Sequence, residues 1–400
     1  EIASCLVGSE MCIRDRGRYR PAPPDILAAA LAALDKKQRQ AEQQQEWVDE
    51  MAAGRLPEPI AQAAESLLIR PDKNSQQWKA LDAACAKLGK SPDRLLLELG
   101  AWPHALALHK RRFLAVNFPR GLAFPDLELP PIDRELPLSD ADIYSVDDVT
   151  TTEIDDALSV QGLGSGTVIV GVHIAAPGLA LAAGDPIDDV ARNRLSTVYM
   201  PGHKVTMLPD DVVQTYTLGE GQARPALSLY VHFDEATLEV KNTETRLEQV
   251  FIAANLRHDQ LEDIVTEAWL QQPDFEHAGG PSELAMPRQQ LAFLYRLALN
   301  LKAAREVVRG KPETFNRPDY NFRLVGKDGS EPTGEETVQI SVRKRGSPLD
   351  LIVAEAMILA NSTWGQWLAE CGVPGLYRSQ ASLLPLSLIH ISEPTRQEAI

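Results

Sequence analysis

The chain has 400 residues, 44% of them hydrophobic, which is enough for a sizeable core and for two or more domains. Its formal net charge of −16, from 56 acidic and 40 basic residues, argues against a protein that coats polyanions, although a local basic channel is compatible with it. Four cysteines without a close pair fit neither a zinc site nor a disulfide framework, so we expect a reducing compartment. The longest apolar run has about ten residues, half of what a membrane helix needs, so no membrane contact is expected.

Both ends of the chain resemble translated adapter DNA of the kind used to prepare sequencing libraries. LVGSEMCIRDR (residues 6–16) and LSLIHISEPTR (residues 386–396) can be back-translated to reverse complements of one another, which chance would hardly supply. We therefore expect residues 1–16 and 386–400 to be non-native and exclude them from reasoning about the fold. On this interpretation the native segment is a fragment cut at both ends.

Residues 17–115 are predicted to form a helical module. A long segment that ends near Gly54 is rich in Ala, Leu, Gln, Glu and Lys, all good helix formers. Shorter helices, with Ser75 and Ser91 as N-caps of the second and third, are expected at 59–70, 76–88 and 92–99. The pattern fits a helix-turn-helix-like unit and equally a plain helical bundle. The Gln-rich helix could be a coiled-coil arm, but a solvated helix is favoured.

A proline-rich stretch over residues 116–140 predicts a linker, and the chain changes character after it. The β-branched runs DALSV and TVIVGVHIA, joined by QGLGSG, predict a hairpin rather than a phosphate-binding loop, because neither GK[ST] nor a helix follows. RPALSLYVHFD and EVKNTETRLEQVFIAA predict further strands, and helices are expected at 282–308 and 348–370. Strands and helices mix without a regular βαβ order, so the predicted fold class is α+β, with one domain over 141–385.

The stretch DDVTTTEIDDA, residues 147–157, places five carboxylates among β-branched residues. Like charges about 4 Å apart repel by about 1 kcal/mol in water and about 4 kcal/mol near a protein surface, so we weigh a bound cation evenly against a solvated acidic loop. The spacing excludes a calcium-binding EF-hand, which needs glycine where Thr152 stands. Oxygen ligands favour Mg²⁺ or Mn²⁺, and the candidate ligands are Asp147, Glu153, Asp155 and Asp156. His173 and His203 lack an HxxE or HxH partner and are expected to be structural or surface residues.

This acidic stretch opens the first of five motifs that follow one another along the chain: DDVTTTEIDDALSV, VGVHIAAPG, DDVARNRLSTVYMPGHKVTMLPD, RPALSLYVHF and IVAEAMILAN. Their order and spacing over about residues 140–380 resemble the catalytic RNB domain of the RNase II family. The resemblance implies a hydrolytic 3′→5′ exoribonuclease of the bacterial cytoplasm. Such enzymes degrade single-stranded RNA to 5′-nucleoside monophosphates at a two-metal carboxylate site that holds Mg²⁺, with Mn²⁺ as an alternative.

The helical region also carries a resemblance. DKNSQQWKALDAA, LLLELGAW and RRFLAVNFPRG are similar to a bacterial subgroup of the same family that has a helix-turn-helix-like module in place of cold-shock domains. The similarity implies weak contact of this module with duplex nucleic acid. It does not indicate an oligomeric state.

Carried over by the resemblance, Asp147, Asp155 and Asp156 are metal-site carboxylates. Asp155 and Asp156 are the catalytic candidates, and Asp155 is the one that we expect the chemistry to need most. Glu153 stands where the family usually has aspartate. Its longer side chain can still reach a metal, but its geometry there is not specified by the resemblance.

The resemblance also implies RNA contacts. Tyr199 corresponds to the tyrosine that holds the terminal nucleotide, an interpretation that we prefer to a strand-core tyrosine. Phe315 corresponds to the aromatic residue that stacks on the last base, with a loop-to-core anchor as an equal alternative. The family's paired glutamates are Ala354 and Glu355 here, so Glu355 is a candidate ribose contact.

Two departures from the family keep other hypotheses open. Ala176 replaces an acidic residue in HIAA, and the chain stops before the SPIRR-like segment and the OB-fold domain of the family. Losing one preorganised charge partner typically costs about 10²–10³ in rate, so we expect the 400-residue chain itself to be a weak or inactive nuclease. The alternatives to an exoribonuclease are a catalytically decayed RNA-binding relative and a DNA-binding regulator that uses the helical module.

Overall fold

The computed structural model describes residues 14–15, 18–19, 23–125, 135–149, 151–200, 202–272, 285–312, 319–326, 332–343 and 346–375. These residues belong to two compact units that alternate along the chain. The first lies within Glu1–Phe124, Thr197–Val205 and Phe322–Gln339, and the second within Pro125–Ser196, Thr206–Asn321 and Ile340–Ile400. The break at Phe124 falls inside the proline-rich stretch 116–140, while the predicted domain boundaries themselves stay a prediction.

Five helices form the N-terminal part of the first unit, as the composition predicts. They are α1 (Pro24–Ala52), α2 (Glu58–Ile69), α3 (Gln76–Leu88), α4 (Pro92–Glu98) and α5 (Ala105–Asn117). Ser75 caps α3, since its Oγ accepts from Trp78 N at 3.1 Å. Ser91 precedes α4 but makes no such cap, because its side chain bonds to the Asp93 carboxylate instead. The buried core of this module includes Trp47, Met51, Ile60, Leu81, Leu95 and Leu96.

The described ranges contain eleven strands: β1 (Arg14–Asp15), β2 (Arg18–Tyr19), β3 (Ile143–Asp147), β4 (Asp156–Gln161), β5 (Thr167–Ala175), β6 (Val198–Met200), β7 (His203–Val205), β8 (Ala223–Asp234), β9 (Val240–Arg257), β10 (Asp319–Val325) and β11 (Thr337–Arg343). Three two-stranded ribbons pair β1 with β2, β6 with β7 and β10 with β11. The remaining five strands close into a barrel in the order β3-β4-β5-β8-β9. The fold is therefore α+β, as predicted.

Six further helices follow the barrel strands or connect them: α6 (Pro186–Arg194), α7 (Asp210–Tyr216), α8 (His258–Leu261), α9 (Glu267–Leu270), α10 (Arg288–Arg309) and α11 (Pro348–Glu370). The last one matches the predicted helix at 348–370, and α10 agrees with the predicted helix at 282–308 over most of its length. None of the helices in the described ranges combines the length and the apolar character that crossing a bilayer requires.

The predicted hairpin of β4 and β5 is confirmed, and its glycine-rich loop binds an internal carboxylate. β4 and β5 pair antiparallel from Asp156↔Ile174 onward. The N–H groups of Gly164 and Gly166 donate to the two Glu235 carboxylate oxygens at 2.8 and 2.9 Å. These donors are the groups that a phosphate would need, so the hairpin interpretation holds.

The barrel closes through one parallel pair. β3 runs antiparallel to β4 and parallel to β9, whereas the other neighbours in the barrel are antiparallel. One face of the strands is apolar and packs on α10 and α11. Its fully buried members include Val168, Val172, Leu229 and Phe233, and Leu291 of α10 and Leu349 of α11 are buried in the same core. Burial of this face supplies most of the driving force that holds the helices on the barrel.

The opposite face, inside the barrel, contains a polar layer around His173. This side chain is fully buried, with Nε2 2.9 Å from Ser159 Oγ and Nδ1 2.8 Å from Ser228 Oγ. Gly171 is required beside it, because a Cβ there would lie 2.3 Å from Ser159 Oγ. Burial lowers the pKa of His173 to about 3. His173 is thus a structural residue in this barrel, and His203 is half-buried at the start of β7.

Acidification is expected to destabilise the fold through His173. The pKa of this histidine is about 3 in the folded chain and about 6.5 in an unfolded one. The unfolded chain therefore takes up a proton as the pH falls below 6.5, and stability is lost in that direction, by about 2 kcal/mol between pH 7.5 and 5. Denaturant titrations should show the wild type and the exposed control His109→Asn losing this amount relative to His173→Asn between pH 7.5 and 5. The same pH dependence in all three would rule out His173 as the titrating group.

Candidate active site

The acidic stretch is a loop between two barrel strands rather than a strand of its own. Asp147 ends β3 and Asp156 begins β4. The pairing of these strands stops at Tyr144↔Leu158, because β3 continues along β9 while β4 continues along β5. Residues 148–155 span the gap, and Thr151 N donates to the Asp148 carbonyl at 3.0 Å to form a turn. The strand propensity of the β-branched residues is overridden because this segment has no strand beside it to pair with.

Backbone hydrogen bonds hold the end of this loop to the barrel. Ile154 is 4% exposed, its N–H donates to Thr217 Oγ1 at 2.8 Å, and its carbonyl accepts from Leu218 N at 2.9 Å. The carbonyl of Asp155 accepts from Ala175 N at 2.8 Å. Ile154 is therefore a buried anchor between Glu153 and Asp155. Its hydrogen bonds fix the direction in which the chain enters β4.

Asp147 provides a buried carboxylate oxygen without a hydrogen-bond partner. Ser145 bonds to the Asp147 carboxylate, but Asp147 Oδ2 is buried and receives no hydrogen bond. Burial raises the pKa of Asp147, while the Ser145 hydrogen bond and the positive charge of Arg257 act in the opposite direction. An unsatisfied buried oxygen is costly, and a bound cation would satisfy it.

Asp155 and Asp156 interact electrostatically with Asp147 and with one another. Burial raises the pKa of Asp156 to about 6, and the charges of Asp147 and Asp155 add to the effect. The Asp155 side chain is exposed to solvent. Partial desolvation by the surrounding protein nevertheless raises the pKa of Asp155, and the negative charges of Glu153 and Asp147 raise it further. Such mutual repulsion disfavours the all-ionised state unless a cation neutralises it.

The carboxylates of the acidic loop are suitable ligands for a hard divalent cation, although their side chains are not arranged as a metal-binding group. Their ligand atoms are all carboxylate oxygens, which Mg²⁺ and Mn²⁺ prefer. Within the described ranges, no three or more His, Cys, Asp or Glu side chains are grouped as a metal-binding set. Like charges separate when no counter-charge lies between them. A cation would therefore have to pull these side chains inward by rotamer changes.

The other residues predicted for RNA contact differ in their surroundings. Tyr199 lies on β6 in the first unit and is 67% exposed, so it is not the strand-core tyrosine that was the alternative. Glu355 is only 2% exposed within α11 and forms an ion pair with Arg305 of α10. The ribose contact of Glu355 stays a prediction. Phe315 lies outside the described residues.

Three residues beside the loop were missed by the sequence analysis. Asn255 and Arg257, at the end of β9, and Asp259, in α8, contact the acidic stretch or the strand that leads into it. The alternation of polar residues could have marked Asn255 and Arg257, because every second residue of a strand lies on the same side. Their distance of about 110 positions from the loop hides the contact.

A family model matches about two thirds of the chain. Residues 136–398 match the family model of the RNB domain. The matched range runs through residues 386–398, within the C-terminal stretch that resembles adapter DNA. The N-terminal helices fall outside the match to this family.

Curated relatives and solved structures agree with this assignment. An uncharacterized ribonuclease of Synechocystis sp. is 25% identical over 399 residues, which cover 94% of this chain and 55% of that protein. Exoribonuclease 2 of Vibrio parahaemolyticus is 29% identical over 244 residues, 60% of this chain and 34% of that enzyme. The chain thus spans about half of the length of these relatives, or less.

Two solved structures share the fold at low identity. The Dss1 exoribonuclease of Candida glabrata has a TM-score of 0.62 at 17% identity, over 79% of this chain and 44% of that one. RNase R of Mycoplasma genitalium, in complex with ribose methylated single-stranded RNA, has a TM-score of 0.51 at 18% identity, over 66% of this chain and 40% of that one. These similarities show the fold alone.

Proposed function

Since the chain belongs to the RNB domain family, we propose that its acidic loop is the catalytic site of a hydrolytic 3′→5′ exoribonuclease. The substrate is single-stranded RNA, which is shortened to 5′-nucleoside monophosphates. The observation that carries the proposal is the mutual charge interaction of Asp147, Asp155 and Asp156 around a buried carboxylate oxygen without a partner. Nucleases among its relatives, one of them solved with single-stranded RNA, support the substrate class.

Asp147, Asp155 and Asp156 would hold Mg²⁺ or Mn²⁺, with Glu153 as a fourth donor. Divalent cations supply charge stabilisation to the attacking and leaving oxygens of a phosphodiester displacement. Asp155 is the solvent-accessible member, so it accepts a hydrogen bond from the attacking water and directs that water toward the terminal phosphodiester. Tyr199 offers an exposed ring on which a terminal base can stack.

A second candidate function, a catalytically decayed RNA-binding relative, is favoured by two observations. Ala176 stands where the family has an acidic residue, and no set of three carboxylates is gathered in the described part of the chain. Such a protein would bind RNA with or without Mg²⁺ and would release no nucleotide. Glu153→Asp, which restores the usual family residue, would not change that outcome, whereas in an active enzyme it would alter the rate.

The direction of attack and the product test the proposed function. Two single-stranded RNAs that differ only in a free or a phosphate-blocked 3′ end would be incubated with Mg²⁺ and the products separated. We expect 5′-nucleoside monophosphates from the free end and strong protection by the block. Equal digestion of both RNAs, or internal fragments, would contradict an exonuclease that starts at the 3′ end.

Removal of the Tyr199 ring is expected to weaken RNA binding. Stacking of one base on an aromatic side chain is worth about 1–3 kcal/mol, so Tyr199→Ala should raise the dissociation constant for single-stranded RNA by roughly 5- to 150-fold. Tyr199→Phe keeps the ring and should bind nearly as the wild type does. Fluorescence anisotropy with labelled RNA in Ca²⁺ would measure both, and equal affinity of the alanine variant would remove Tyr199 from the site.

A further inference from the structure

Three alternate residues at the end of β9 and the start of α8 form hydrogen bonds with the acidic stretch or with β3 just before it. β9 lies parallel to β3, with Ser145↔Asn255 and Asp147↔Arg257 in register. Asn255 donates a hydrogen bond to Ser145, which in turn contacts Asp147. Arg257 donates to the Asp148 carbonyl, and Asp259 accepts from Val149 N. The contacts run in the same order along both segments, so the end of β9 and the start of α8 lie along the approach to the loop.

The donor and the acceptor in the contact between Asn255 and Ser145 are defined by the other hydrogen bonds of Asn255. Asn255 Nδ2 donates to Ser145 Oγ at 2.8 Å and to the Leu218 carbonyl at 3.0 Å, while its Oδ1 accepts from Glu220 N at 2.8 Å. These three bonds fix the orientation of the amide. Ser145 is fully buried and accepts from Asn255, which leaves its own proton for the Asp147 carboxylate. One oxygen of Asp147 is thereby held, and Oδ2 is left without a hydrogen bond.

The loop backbone is held at its first two residues. Arg257 Nη1 donates to the Asp148 carbonyl at 3.2 Å, and Asp259 Oδ1 accepts from Val149 N at 3.0 Å. Both bonds go to backbone atoms, so they fix the path of the chain rather than one side chain.

The segment itself is anchored to a long helix. His258, between the two residues that hold the loop, is 4% exposed, and its Nε2 lies 2.8 Å from Ser347 Oγ. Ser347 caps α11, with Oγ accepting from Asp350 N at 3.1 Å. The residues that hold the acidic loop therefore flank a buried histidine, and this histidine forms a hydrogen bond with the N-cap of α11.

We propose that Asn255, with Ser145, and Asp259 are positioning residues of the proposed metal site, which orient Asp147 Oδ2 and the loop backbone for a divalent cation. The inference rests on the proposed function for the identity of the site. Partners that orient metal-binding carboxylates typically contribute 10- to 100-fold to metal affinity. None of the residues proposed here is required to touch the cation or the RNA.

Binding of Mn²⁺ to the 400-residue chain tests this inference without relying on activity. Electron paramagnetic resonance of free Mn²⁺ would give the dissociation constant for the wild type, Ser145→Ala, Asp259→Ala and Asp259→Asn. Ser228→Ala, an equally buried barrel serine that contacts His173, and exposed Asp263→Ala are the matched controls. Thermal unfolding without metal would check that every variant is folded.

We expect Ser145→Ala and Asp259→Ala to raise the Mn²⁺ dissociation constant by about 10- to 100-fold. Asp259→Asn keeps an oxygen acceptor for Val149 N and should stay within about threefold of the wild type, as should both controls. Wild-type affinity in folded Ser145→Ala and Asp259→Ala would overturn the positioning role and leave the proposed metal site intact. Absence of Mn²⁺ binding by the wild type, unchanged by Asp155→Asn, would overturn both.

Discussion

Asp155→Asn is expected to reduce the rate of hydrolysis from the RNA 3′ end by about 10³-fold or more while RNA binding is retained. The asparagine side chain has nearly the same shape, but it lacks the charge that the proposed cations need. Metal ions contribute several kcal/mol of charge stabilisation in the transition state, and each 1.36 kcal/mol is tenfold in rate. Single-turnover digestion of 5′-labelled RNA would measure the rate in the wild type and in the variant.

The matched control for this effect is Asp142→Asn. Asp142 is exposed and lies just before β3, outside the acidic stretch, so its neutralisation should leave the rate unchanged within a factor of about two. An equal loss of rate in both variants would point to a general effect of negative charge. A wild-type rate in Asp155→Asn would remove Asp155 from the chemistry.

Asp156→Asn is expected to stabilise the metal-free chain by roughly 1–3 kcal/mol at pH 7.5. Burial, followed by the charges of Asp147 and Asp155, raises the pKa of Asp156 to about 6, so its ionised form is unfavourable in the folded chain. Removing that charge relieves the penalty and at the same time removes a metal donor. Saturating Mn²⁺ should therefore stabilise the wild type, by about 2.7 kcal/mol at one hundred times the dissociation constant, and affect Asp156→Asn much less.

The stability difference between Asp156→Asn and the wild type should depend on pH in a defined direction. The pKa of Asp156 is raised from 3.8 to about 6 by folding, so the penalty is fully present above pH 6 and disappears below about pH 3.8. Denaturant titrations at pH 7.5 and 4 should show the stabilising effect of Asp156→Asn at the higher pH only. A stabilisation that persists at pH 4, or destabilisation at pH 7.5, would contradict the unfavourable buried charge.

Local patterns in the sequence predicted the local structure well. The helices at 76–88 and 348–370 and the hairpin of β4 and β5 agree with prediction because caps, proline positions and β-branched alternation act within a few residues. Composition likewise marked residues 147–156 as a charge cluster, and the charges of Asp147 and Asp155 contribute to the raised pKa of Asp156.

Contacts between distant parts of the chain could not be predicted. The parallel pairing of β3 with β9, which closes the barrel and brings Asn255 to Ser145, joins residues about 110 positions apart. The ion pair of buried Glu355 with Arg305 on a neighbouring helix was likewise not predicted. In both cases the outcome depends on which elements pack together, and periodicity within one element does not carry that information.

The most direct test of the proposed catalytic site combines the metal and Asp155 in one time course. Single-stranded RNA labelled at its 5′ end would be incubated with the protein in Mg²⁺ or in chelator, as wild type and as Asp155→Asn. We predict a ladder that shortens from the 3′ end in wild type with Mg²⁺ and is absent under the other three conditions. RNA that is bound but never shortened, with no difference between wild type and Asp155→Asn, would contradict the exoribonuclease and favour the decayed RNA-binding relative.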